Sequence, residues 1–186
     1  MAKIAEMNYD GLITGLTPGV FVGAETIRKG AAEKTYKRGT VFAKSDVDGK
    51  LVILGSTPGT TEEKFNGDGS AVSFTLSSKV DKIADVKVGG TSVAFTYDAS
   101  TGVVTCASAP AAGTNNVVVY IPETLTPDCI LCEDTVVGTS DDVNAAVYKA
   151  GCFDPKKFDV ASGHTITAAE IDALRIRNIY LAEAIA

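Results

Sequence analysis

Short apolar runs separated by turn residues cover most of the chain, and this pattern predicts strands rather than long helices. The clearest pair is formed by residues 40–44 and 50–54, which are joined by the polar residues 45–49. An Asp/Gly turn between two apolar runs predicts a β-hairpin. Three further runs predict short strands towards the C-terminus: residues 129–132, 144–148 and 179–181.

One helix is marked by its own capping sequence. Thr167 and Glu170 have the spacing of a capping box, in which a hydroxyl and a carboxylate accept hydrogen bonds from free N–H groups of the first turn. Ile171 and Leu174 lie three residues apart and share one helix face, and Asn178 can end the helix. Together with the strands, this single helix predicts a β-rich α+β fold.

The middle of the chain, residues 57–124, has a different character. It is rich in Gly, Ser and Thr and carries short alternating runs, which predict a small all-β sandwich. The predicted strands are residues 71–76, 85–88, 92–97, 102–106 and 116–120. Because loop-like sequences flank this block on both sides, we interpret it as a domain inserted into a loop of a second domain.

Composition and charge exclude several classes of function. The chain has 186 residues, with 17 Lys+Arg against 23 Asp+Glu and a net charge of −6, which argues against sequence-independent binding to nucleic acid. No stretch has the length and apolarity of a membrane span, and the first ten residues do not resemble a secretory signal. We expect the four cysteines to be free thiols in a protein made in a reducing cytoplasm.

Charge is distributed unevenly along the chain. Residues 28–50 contain seven bases and three acids, whereas no base and seven acids lie between Lys87 and Lys149. Two interpretations remain open. These runs form two solvated faces of opposite sign, or they orient the molecule so that its basic side meets an acidic partner.

The cysteines offer the most conspicuous candidate chemistry. Cys129 and Cys132 have CxxC spacing, and Cys152 with His164 could complete a zinc site. However, residues three apart in a strand point to opposite faces, so structural burial is the favoured interpretation over a metal or redox site. We expect His164 to be a solvated loop residue.

Two acidic turns, residues 46–49 and 66–70, superficially suggest calcium binding. Neither has the glutamate that completes a calcium loop, so we expect ordinary Asx turns instead. The chain also lacks a nucleophile elbow, a P-loop and a dinucleotide fingerprint. We therefore expect no enzymatic activity, no metal and no cofactor.

Once residues 57–124 are set aside, four motifs occur in a familiar order. They are RGTV at residues 38–41, ILCED at 130–134, VYKAGCF at 147–153 and LRIRNIYL at 174–181. This ordered set resembles the head decoration proteins of tailed bacteriophages, of the lambda type. The inserted block departs from the minimal pattern of that family.

The resemblance implies a structural virion protein made in the host bacterial cytoplasm. It implies a homotrimer that binds the outer capsid surface at local threefold positions and stabilises the major capsid protein lattice. It also implies an N-terminal arm that becomes ordered on docking. We therefore expect a capsid-binding arm in residues 1–22, a decoration core in 23–56 plus 125–186, and an inserted sandwich in 57–124.

The arm is too apolar for a solvated tail, while its glycines and proline oppose a stable helix. Such a segment can add an extended strand to an exposed sheet edge of a partner. The candidate capsid-binding residues are Ile4, Tyr9, Leu12, Ile13 and Leu16. The alternative is that residues 12–21 form a core strand of the protein's own fold.

Two other functions stay open from the sequence. One is a virion surface adhesin, whose inserted sandwich binds a glycan or a host-surface component. The other is a thiol or zinc protein built on Cys129 and Cys132. We expect the insert to lie away from the capsid, because a repeating lattice leaves little room for a bulky addition.

Overall fold

A computed structural model describes residues 10–15 and 17–183. The fold is β-rich, with 47% strand and 7% helix, as the sequence predicts. The chain forms two compact units. Unit 1 contains the residues up to Thr57 and those from Leu125 onward, and unit 2 is Pro58–Thr124, one residue shorter than the block that the sequence sets apart.

The strands and the helix follow one another in this order. Unit 1 begins with β1 (Ile13–Gly15), β2 (Phe21–Ile27), β3 (Lys34–Tyr36), β4 (Val41–Ser45) and β5 (Leu51–Ile53). Unit 2 contains β6 (Thr60–Gly67), β7 (Ser73–Thr75), β8 (Asp85–Val88), β9 (Thr91–Ser92), β10 (Phe95–Asp98), β11 (Val103–Cys106) and β12 (Gly113–Pro122). Unit 1 resumes with β13 (Leu125–Leu131), β14 (Thr135–Val137), β15 (Val143–Phe153), a 3₁₀ turn (Pro155–Lys157), α1 (Ala168–Ile176) and β16 (Ile179–Leu181).

Five strands of unit 1 close into a small barrel. Hydrogen-bonded pairing runs from β15 to β13, β4, β5 and β2, and β2 returns to β15. The closing contact between β2 and β5 is narrow and parallel, with Ile27 opposite Leu51. Closure leaves these strands few free edges, which limits unwanted pairing with other chains.

Two core clusters lie on the two sides of the barrel wall. The inner cluster includes Ile27, Phe42 and Val147, which alternate with outward residues because successive side chains of a strand point to opposite faces. The outer cluster joins Val41 on β4 to Leu174 on α1. Strand β4 is therefore buried on both faces.

The C-terminal segment of unit 1 covers this outer cluster. Thr167 caps α1, and the complete capping box with Glu170 is present as predicted. The chain then turns at Asn178, whose φ is 62°, into β16. The last residues of β15 lie between β1 and β16, so the long strand β15 joins the barrel to the terminal strands.

Unit 2 consists of two sheets around one core. The first has the order β10-β11-β7 and the second the order β6-β12-β8-β9. Phe74 and Val104 from the first sheet meet Val86 and Val119 from the second in a common cluster. The two ends of the unit are adjacent, since Thr60 pairs with Pro122.

The structure confirms the predicted hairpin as β4 and β5 and the predicted terminal strand as β16. Strand β6 lies outside the predicted strands, and the predicted strand 92–97 is divided between β9 and β10. The sequence TTEEKFNG of β6 has four charged or amide residues and only one large apolar residue. Its long pairing with β12 makes it a strand.

Candidate functional site

The predicted capsid-binding residues divide into two groups. Ile4, Tyr9 and Leu16 lie outside the described residues. Leu12 is 2% exposed within the outer core cluster, and its carbonyl accepts a hydrogen bond from the Asp154 N–H at 2.9 Å. Ile13 and Leu12 are thus tied to the protein's own fold.

This arrangement corresponds to the alternative that the sequence left open for residues 12–21. Ile13 lies on β1 opposite Phe153 and is partly buried against the outer cluster. Neither Leu12 nor Ile13 presents its side chain as a free apolar anchor. The structure therefore favours other residues of the N-terminal segment as points of contact with a partner.

Such residues are found at the start of β2. Val20, Phe21 and Val22 are 37%, 63% and 49% exposed. Phe21 and Val22 are neighbours in a strand and point to opposite faces, so the start of β2 is uncovered on both sides. Grouped exposed apolar side chains are typical of interaction surfaces. The sequence contained these residues in the arm but did not single them out.

A second feature is a group of charged side chains at one end of the barrel, here called the mouth cluster. Asp128 is its most buried member, with a side chain that is 2% exposed. Lys149 Nζ lies 2.5 Å from Asp128 Oδ2 and 2.7 Å from Glu25 Oε1. Lys44 Nζ lies 3.0 Å from Glu25 Oε2, and an Arg177 guanidinium nitrogen lies 3.2 Å from Asp128 Oδ1.

The strand period and two register shifts place these charges together. Glu25 lies two residues from the barrel core residue Ile27, so it shares the inward face of β2 but lies at the barrel end. Lys149 lies where the pairing register of β15 with β2 shifts, and its Nζ contacts Glu25 there. Asp128 lies where the pairing register of β13 with β4 shifts. Gly23 lies beside Lys149, and a Cβ at Gly23 would make an ordinary van der Waals contact of 3.4 Å with Lys149 Cγ.

The mouth cluster is held together by charge-assisted hydrogen bonds. Burial opposes the ionised form of Glu25, but hydrogen bonds from Lys149 and Lys44 outweigh it and lower the pKa of Glu25. Burial likewise opposes the charged form of Lys149, while its bonds to Asp128 and Glu25 raise its pKa. Glu25 and Lys149 are thus charged in the resting cluster, and Asp128 lies between the Lys149 and Arg177 side chains.

Cys129 and Cys132 lie on opposite sides of the barrel wall, although β13 ends at Leu131, one residue before Cys132. Cys129 lies in the barrel core, whereas Cys132 packs against the outer cluster. Burial raises the pKa of the Cys132 thiol to about 11 and holds that of Cys129 well above its ordinary value. Within residues 10–15 and 17–183, no group of three or more His, Cys, Asp or Glu side chains is arranged to hold a metal ion.

His164 lies in the loop before α1, as expected, but it is not fully solvated. Its side chain is 21% exposed, and Nε2 lies 3.1 Å from the Glu170 carboxylate of the helix cap. The two acidic turns behave as predicted. Asp48 accepts a hydrogen bond from the Lys50 N–H, and Asp68 accepts from two backbone N–H groups, the pattern of Asx turns.

The two runs of opposite charge meet within unit 1. Lys37 Nζ lies 2.7 Å from Asp134, and Lys50 Nζ lies 2.6 Å from Asp142. These pairs join the basic run to the acidic one. Lys37 and Lys50 of the basic run are thus paired with carboxylates of the same chain.

Comparison with known proteins identifies no relative. No family model matches the chain, and searches of curated proteins and of solved structures find no significant match. No helix in the described part of the chain is long and apolar enough to cross a membrane.

Proposed function

We propose that this chain is a capsid decoration protein of a tailed bacteriophage. It binds the outer surface of the head as a homotrimer and stabilises the major capsid protein lattice. One observation carries the proposal: each of the four sequence motifs supplies at least one residue to the same outer core cluster. These residues are Val41, Ile130, Phe153, Leu174 and Ile179.

This shared core supports treating the ordered motifs as the signature of one fold. RGTV ends at the first residue of β4, ILCED begins at the end of β13, and VYKAGCF lies within β15. LRIRNIYL contains the end of α1 and all of β16. Motifs that are weak separately thus belong to elements that pack on one another, which supports a lambda-type decoration fold for unit 1.

Attachment to the capsid is proposed for the N-terminal segment and the start of β2. Phe21 and Val22 supply exposed apolar surface, and they follow the candidate residues Ile4, Tyr9 and Leu16 in the sequence. Burying one such side chain fully against a partner contributes about 1.5–3 kcal/mol. Several are needed, because fixing the backbone of each residue that becomes ordered on binding costs about 1–2 kcal/mol.

The test is binding to heads assembled without their decoration protein. Full-length protein is expected to co-sediment with such heads and to add density to their outer surface in electron micrographs. Phe21→Ser is expected to weaken binding at least tenfold. Val136→Ser, which changes another exposed apolar residue of unit 1, serves as the matched control. Heads that bind no full-length protein would overturn the proposal.

A second candidate function is adhesion through unit 2. Val117 and Val119 point into its core, so Tyr120 lies on the outer face of the β6-β12-β8-β9 sheet. Lys87 Nζ lies 4.8 Å above the centre of its ring, and Glu62 and Asp85 lie opposite on the neighbouring strands. An aromatic ring among polar groups suits a glycan.

Loss of cell-surface binding in Tyr120→Ala, with capsid binding retained, would assign adhesion to this face.

A further inference from the structure

The mouth cluster contains the components of an acyl-transfer reaction. Lys149 supplies an amine, and Asp128 supplies a carboxyl group at 2.5 Å from that amine. Glu25 supplies a second carboxylate at 2.7 Å from the same nitrogen. Reacting groups held at contact distance gain a large effective concentration, which can replace an external catalyst.

We propose that Lys149 and Asp128 condense to an intramolecular amide bond, which cross-links β15 to β13 covalently. Glu25 acts as the base that moves the proton, and Arg177 stabilises the charge that develops on Asp128 Oδ1. The two linked strands are hydrogen-bonded neighbours in the barrel, with Ile130 opposite Tyr148. The bond therefore needs no rearrangement of the sheet.

The reaction balances within the cluster. One proton passes from the Lys149 ammonium to Asp128 Oδ2 along their hydrogen bond, leaving a neutral amine and a carboxylic acid. The amine lone pair attacks Cγ of Asp128, and the resulting oxyanion at Oδ1 faces Arg177. Glu25 takes a proton from the nitrogen and delivers it to Oδ2, which leaves as water. Glu25 is regenerated as a carboxylate, and the net charge of the pair stays zero.

Burial distinguishes this pair from the other lysine–carboxylate pairs that the structure describes. Lys50 also lies near two carboxylates, those of Asp142 and Asp48, but these side chains are 27% and 28% exposed, against 2% for Asp128. Lys149 is 23% exposed and charged in the resting cluster, so the reactive amine arises only when its proton passes along the hydrogen bond to Asp128. Because the Asp128 side chain is only 2% exposed, little water competes with Arg177 for the developing oxyanion. Lys50 and Asp142 therefore provide an internal comparison.

The intact mass of the full-length protein, measured under denaturing conditions, tests this directly. The cross-linked chain is lighter than its sequence by one water molecule, and digestion yields a branched peptide containing Lys149 and Asp128. Lys149→Arg keeps a cation beside Asp128 but is expected to have the full sequence mass. Asp128→Asn is expected to lose ammonia instead of water, because it forms the same amide.

Lys50→Arg is the matched control and is expected to retain the loss of water. A wild-type protein that keeps its full sequence mass after prolonged incubation at neutral pH would overturn the proposal, whatever the variants do. A loss of water that persists in Lys149→Arg would also overturn it. That loss would then come from another reaction, such as succinimide formation at Asp48-Gly49 or Asp68-Gly69.

Discussion

The imidazole of His164 lies directly against the backbone of Gly55. A Cβ atom at residue 55 would come within 2.7 Å of His164 Cδ2 and closer still to its Cβ and Cγ. Gly55 also has a φ of +88°, in the region that favours glycine. The loop after β5 thus packs against the residues that precede α1, and the contact depends on the absence of a side chain at Gly55.

Gly55→Ala is expected to destabilise unit 1 by about 1–3 kcal/mol, because it combines backbone strain with overpacking. Gly49→Ala is the matched control, since Gly49 has a φ of +68° but no atom lies within 4 Å of the position that a Cβ would take there. Urea unfolding should therefore give a larger loss for Gly55→Ala than for Gly49→Ala. Equal losses would mean that His164 moves aside without cost.

Thr167→Ala is expected to lower the free energy of unfolding of unit 1 by about 1 kcal/mol. The Thr167 hydroxyl accepts the Glu170 N–H bond that closes the first turn of α1, and Leu174 of this helix is fully buried. Thr165→Ala removes a nearby hydroxyl outside the capping box and serves as the control. Denaturant midpoints of the two variants give the comparison, and an unchanged midpoint for Thr167→Ala would contradict the capping role.

Unit 1 is expected to lose stability in acid, where the Glu170 carboxylate becomes protonated. Burial alone would raise its pKa, but hydrogen bonds from Thr167 and the nearby His164 outweigh burial and lower it below 4.5. The unfolded chain therefore takes up this proton at higher pH than the folded one. The free energy of unfolding should fall as pH decreases from about 5 to about 3.

Glu170→Gln checks this pH dependence, because glutamine can also complete a capping box. Its stability should change less over the same pH range than that of the wild type. Glu183→Gln, at an exposed pair with Lys156, is the control and should follow the wild type. Parallel curves for Glu170→Gln and the wild type would exclude Glu170 as the responsible group.

The two units are expected to fold separately. Unit 2 has its own core, and its ends meet where Thr60 pairs with Pro122. A protein that lacks residues 58–124 and is closed by a short glycine-serine linker should keep the helix and the barrel of unit 1. Its circular dichroism spectrum should show both helix and strand. Residues 58–124 expressed alone should unfold cooperatively with a β-type circular dichroism spectrum. An isolated segment without a cooperative transition would contradict this.

Deleting residues 58–124 also bears on the proposed function. If unit 1 carries capsid binding, the shortened protein should bind decoration-free heads with unchanged affinity and add threefold-symmetric density at their surface. The difference map against full-length protein should place unit 2 on the side away from the shell. Density for unit 2 between unit 1 and the shell would contradict that orientation.

The sequence alone determined the local elements of this protein. The capping box of α1, the hairpin of β4 and β5 and the turns at Asp48 and Asp68 depend on residues within a few positions of one another. Their hydrogen bonds are satisfied locally, so residue type and spacing were sufficient to predict them. The change of composition around residues 57 and 124 likewise marked the boundaries between two cores.

Tertiary structure alone decided how the distant elements combine. Barrel closure joins β2 to β15 across more than a hundred residues, and β6 is a strand because β12 lies beside it. The sequence carried a partial signal of the mouth cluster, since Glu25 lies two residues from Ile27 and shares its inward face. The meeting of Glu25 with Lys149 and Asp128 could not be predicted, because it depends on the register of three separate strands, and a shift of one residue would point each side chain to the other face.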